Sequence, residues 1–137
     1  MKSTRISDLF KIENLKGQKL NVEFATGYDL PVKTWFLTIY INKILVFNYF
    51  PLKFRLSSLE FLKFLNDLGV TLSDEMTEAL SADDGQMTNV NRAIIATPTL
   101  QELYKNISRL KSYRWFQILM CDFSIEFYNN KFAKFTF

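Results

Sequence analysis

Polar and apolar residues alternate most plainly in "QKLNVEFAT" (18–26), where Leu20, Val22 and Phe24 oppose Lys19, Asn21 and Glu23. That period of two predicts a strand with one buried face. "TWFLTIYINKILVFNYF" (34–50) predicts a hairpin closed by a two-residue Asn42-Lys43 loop. In that register Ile41 faces Ile44, Ile39 faces Val46 and Trp35 faces Phe50, while Phe36, Tyr40, Leu45 and Phe47 line the other side. Both sides are apolar or aromatic, so these strands are expected at the centre of a sheet.

Helical spacing governs other segments. In "LSSLEFLKFLNDLG" (56–69), Ser57 and Glu60 form a capping-box pair and Gly69 supplies a left-handed stop. "TLSDEMTEAL" (71–80) predicts a short helix with Asp74 and Glu75 in its first turn, where the macrodipole favours carboxylates. "TPTLQELYKNISRLK" (97–111) sets Leu100, Leu103, Tyr104, Ile107 and Leu110 on one stripe behind a Thr99 cap. At the N-terminus, "RISDLFKIENLK" (5–16) places Ile6, Leu9 and Phe10 at helical spacing before Gly17. A short helix is expected there, with a strand around Leu9–Ile12 as the alternative.

The remaining segments read as strand and loop. "VNRAIIA" (90–96) is expected as a strand, and "YRWFQILMCDFSIEFY" (113–128) as one long strand or two separated by a bend. The closing "FSIEFYNNKFAKFTF" (123–137) predicts a hairpin with a three-residue Asn129-Asn130-Lys131 loop. Phe123, Ile125 and Phe127 would then face Phe137, Phe135 and Ala133 on the core side, leaving Tyr128, Phe132, Lys131 and Lys134 outside. Together the elements define an α+β fold in a single domain over residues 1–137. Its antiparallel sheet would have about five or six strands, with about three helices packed mainly on one face.

Composition narrows the chemistry. The chain has 137 residues, of which 48% are hydrophobic, enough to bury a sizeable core. It has no histidine, which removes His-containing triads, Cys–His pairs and the usual His zinc sites. One cysteine makes no internal disulfide; Cys121 reads as a small core residue of a protein kept in a reducing cytoplasm. The four glycines are too scattered to cradle phosphate. Asp83-Asp84-Gly85 lacks the alternating ligands and closing Glu of a calcium loop and reads as a solvated turn, and Asp122 and Glu126 read as strand-surface charges. No catalytic residue, metal or cofactor is implied. The apolar run 35–52 carries Asn42 and Lys43 at its middle and so reads as the hairpin, with no membrane span.

Charge adds the one asymmetry that points to a partner. Net charge is +3, yet residues 60–102 hold two Lys/Arg against eight Asp/Glu, and from Phe64 to Asn91 there is no basic residue. Asp67, Asp74, Glu75, Glu78, Asp83 and Asp84 fall in that span. They are expected either as a solvated helix face or as a docking surface for a basic protein, including nucleic-acid-handling proteins. The second reading makes the chain a small, non-catalytic cytoplasmic binding or inhibitor protein of the immunity, antitoxin or phage anti-defence kind. The alternative is a nucleic-acid-binding module built on Lys105, Arg109, Lys111 and Arg114, with Tyr128, Phe132 and Lys134 as an outer aromatic and cationic patch.

Overall fold

A computed structural model describes residues 3–82, 90–121 and 125–136. Its main sheet is five-stranded and wholly antiparallel: β1 (Thr4–Glu13), β2 (Lys19–Asp29), β3 (Thr34–Ile41), β4 (Ile44–Tyr49) and β7 (Ile125–Phe127) stand side by side in that order. Around it lie α1 (Ser58–Asp67), α2 (Asp74–Ala82), α3 (Leu100–Leu110), α4 (Arg114–Leu119) and α5 (Asn129–Thr136). A small ribbon of β5 (Thr71–Leu72) and β6 (Ile94–Ala96) completes the α+β architecture.

The central hairpin forms as the pattern predicts, because Asn42 and Lys43 both take the left-handed conformation that a tight two-residue turn demands. Ile41 pairs with Ile44 and Tyr40 with Leu45, but a bulge then brings Ile39 opposite Phe47 rather than Val46. The extra residue turns both Val46 and Phe47 into the core and sets Phe50 against Phe36, ring centroids 5.5 Å apart, rather than against Trp35. One face of the sheet presents Phe24, Trp35, Ile39, Phe47 and Tyr49, and the helices cover it. Phe61 of α1 stacks on Trp35 at 5.7 Å, Phe64 lies tilted on Tyr49 at 4.7 Å, and Phe116 of α4 extends the row at 6.2 Å from Phe64.

Helices with local end signals form where expected. Ser57 and Glu60 close the capping box on α1, Gly69 follows at φ +86°, and the Thr99 hydroxyl caps α3 by accepting from the Glu102 N–H. Other expectations fail. The short helix expected at the N-terminus does not form, and the alternative strand around Leu9–Ile12 does, extended over residues 4–13: Ile6, Asp8, Phe10 and Ile12 turn inward and Leu9 is left 70% exposed. Gly17, expected as a helix stop, instead takes a left-handed position in the β1–β2 turn. Where one long strand, or two separated by a bend, is expected over 113–128, the structure has a helix over Arg114–Leu119 and only the three-residue strand β7 after it. Phe116 is buried, residues 114, 115, 117 and 118 are exposed, and Met120 packs against the core four residues on; that spacing suits a helix face, and the tertiary contact overrides the β preference of the aromatics.

The closing hairpin is likewise replaced, by β7 and α5. The Tyr128 N–H bonds to the Val46 carbonyl, and the chain then turns into a helix whose last carbonyls are held from outside. The Asn14 side-chain amide donates to the Phe135 carbonyl at 3.1 Å and that of Gln101 to the Thr136 carbonyl at 2.7 Å. Those donors satisfy orphan groups that a helix end would otherwise leave unpaired. Phe132, expected outside, is fully buried against Tyr104 and Phe127. Phe123 and Phe137 lie outside the described residues.

Candidate functional site

α2 is built to hold its acidic residues outward. Ser73 precedes it; its hydroxyl accepts from the Met76 N–H at 3.1 Å and donates to the Arg92 carbonyl. Met76, Ala79 and Leu80 are buried, so the opposite side of the helix carries Asp74, Glu75 and Glu78, all exposed. Glu75 is engaged locally, accepting from the Asn91 N–H at 2.9 Å. Asp74 and Glu78 make no hydrogen bond or ion pair among the described residues. Asp83 and Asp84 lie outside the described residues. Asp67 is drawn away to a different surface.

That surface is a groove of about 620 Å³ between α1 and the α3–α4 corner. Leu56, Phe64 and Leu110 form its floor, Tyr113 and Trp115 its aromatic wall, and Glu60, Lys63, Asp67 and Arg109 its rim. Trp115 is 40% exposed. The groove thus sets mixed charges around two partly exposed aromatic rings. No sequence signal marks it, because Tyr113 and Trp115 reach it only once residues 114–119 coil into α4.

Of the basic candidates, Lys105 and Arg109 stand four residues apart on α3, Lys111 caps that helix, Arg114 opens α4 and Lys134 lies on α5. Lys105, Arg109, Arg114 and Lys134 are exposed, but Arg109 donates to the Asn106 side chain at 3.1 Å. Lys111 places its ammonium 5.1 Å from the Phe127 ring. Lys131 lies 4.9 Å over the Tyr128 ring, and Phe132 is inside. The outer aromatic pair expected from sequence is thus reduced to one ring that already carries a cation.

Two further positions matter. Asp8, a residue that sequence reading leaves without a role, is 6% exposed on the inner side of β1. Its Oδ2 accepts from the Ala93 and Ile94 N–H groups at 3.2 and 2.8 Å, and its Oδ1 lies 3.7 Å from the Arg92 guanidinium. Arg92 also covers the Phe10 ring at 5.5 Å. Cys121, expected in the core, is exposed at the end of α4. Among the described residues no three Asp, Glu, Cys or His side chains come together as a metal site would need, and no helix is long and apolar enough to cross a membrane. Neither a family model, nor a curated protein, nor a solved structure matches this chain.

Proposed function

We propose that the protein is a small binding protein of the inhibitor kind, without catalytic action of its own, which docks a basic protein partner on the outer face of α2. The observation that carries this reading is the placement of Asp74 and Glu78. They stand four residues apart on one helix face, exposed and unengaged among the described residues. Like charges at that spacing destabilise a helix by about 0.2–0.5 kcal/mol. Asp74 recovers some of that from the helix dipole, but Glu78 lies beyond the first turn, and the last turn has no basic residue to offset it. Helix stability therefore does not account for the pattern. Attraction of a cationic surface does, since a patch of one sign speeds encounter and selects partners.

A nucleic-acid-handling protein with a cationic groove is the partner class that this face suits. A cytoplasmic setting agrees with the single exposed thiol. The nucleic-acid-binding alternative draws less support, because stacking needs free aromatic faces and Phe132 is buried.

The test is a paired substitution. The Asp74→Lys/Glu78→Lys protein, with Glu75 kept because it holds Asn91, is expected to lose a stoichiometric partner that the wild type captures from its native host. The Lys105→Glu/Lys134→Glu protein is expected to keep it. Capture that survives the acidic reversal contradicts the proposal.

A further inference from the structure

The main sheet has two edges of very different character. β7 is three residues long, and α5 follows it directly. β1 runs for ten residues without proline, in unbroken register with β2 from Thr4↔Tyr28 to Glu13↔Lys19. Among the described residues the backbone of β1 pairs with β2 alone. The segment at Arg92–Ile94 reaches β1 through the Asp8 side chain and leaves its outer backbone groups untouched. In an antiparallel ladder alternate residues of an edge strand direct N–H and C=O outward, and such a row is a template for another strand. Leu9, 70% exposed, stands at the middle of this edge.

We propose that β1 pairs antiparallel with β1 of a second copy about a two-fold axis at Leu9, joining two five-stranded sheets into one. Residues directly opposite in a continuous sheet share a face, so the axis must pass through a residue position, and few choices exist. An axis at Ser7 pairs only Thr4–Phe10 within the strand, and one at Phe10 only Ser7–Glu13. An axis at Asp8 sets Asp8 on its own copy and Arg5 against Lys11, like charge facing like.

An axis at Leu9 resolves all of this. Arg5 then faces Glu13 of the second copy, twice by symmetry, while Ser7 faces Lys11, Ile6 faces Ile12 and Leu9 covers its own copy. Phe10 of each copy, with Arg92 over its ring, lies across from the other copy's Asp8. Charge self-complementarity of the edge thus selects a second copy as its occupant, independently of what α2 docks.

Sedimentation equilibrium of the full chain tests this directly. The wild type is expected to be a dimer at micromolar concentration. Arg5→Glu creates two like-charge pairs and is expected to raise the dimer dissociation constant by about tenfold or more, as is Glu13→Arg. The Arg5→Glu/Glu13→Arg protein restores opposite charges and is expected to recover the dimer, with thermal unfolding of each variant verifying that it remains folded. A monomeric wild type, a dimer indifferent to either single reversal, or a double variant no better than the singles would overturn the proposal.

Discussion

At Asp8 a carboxylate interrupts the inward row Ile6, Phe10 and Ile12, and the interruption is what conceals β1 in the sequence. Hydropathy reads that row as broken and finds a helical spacing through Leu9 instead, although Leu9 ends up outside. The partners that make a buried carboxylate tolerable lie 85 and 86 residues further on, beyond any local pattern. Asp8→Ala is expected to lower stability by about 2–4 kcal/mol in urea denaturation, because it leaves the Ala93 and Ile94 N–H groups without their acceptor and removes the carboxylate beside Arg92. Asp8→Asn keeps one acceptor oxygen and should cost less. Gly27 is a second position fixed by contact rather than pattern: a Cβ there would run into the Thr4 carbonyl, so no other residue fits without displacing β1.

Elements were legible where their ends are written locally. Ser57 with Glu60, Thr99, Gly69 and the Asn42-Lys43 turn each act within a few residues, and each forms its element as expected. α4 and α5 have no such signals. Tyr113 makes no side-chain cap at the start of α4, and α5 is secured by Asn14 from the β1–β2 turn and Gln101 from α3. Phe-rich segments with strand propensity become helical because those distant groups accept them in that form. The same dependence makes α5 structural. A chain ending at Tyr128 removes Phe132 and bares Tyr104 and Phe127, so it is expected to lose cooperative thermal unfolding. A truncated chain that melts like the full one would show that α5 is dispensable for folding.

Across the whole molecule, charge separates more sharply than net charge suggests, and here the sequence and the fold contribute different parts. The acidic span was legible as a run without Lys or Arg, but only folding divides it, sending Asp67 to the groove and leaving Asp74, Glu75 and Glu78 on α2. The groove itself was not legible, since its walls come from α1 and the α3–α4 corner. If α2 is shaped for a partner rather than for itself, relieving its repulsion should stabilise the free protein. Glu78→Lys replaces a like-charge pair by an opposite one and is expected to raise stability by about 0.5–1 kcal/mol while weakening capture of the partner. The most direct measurement is carbodiimide coupling of the captured complex, which joins carboxylates to lysines in contact, followed by mass spectrometry of the joined peptides. The account predicts links from Asp74 or Glu78 to lysines of the partner. Links confined to carboxylates elsewhere, such as Glu23 or Glu102, would contradict it.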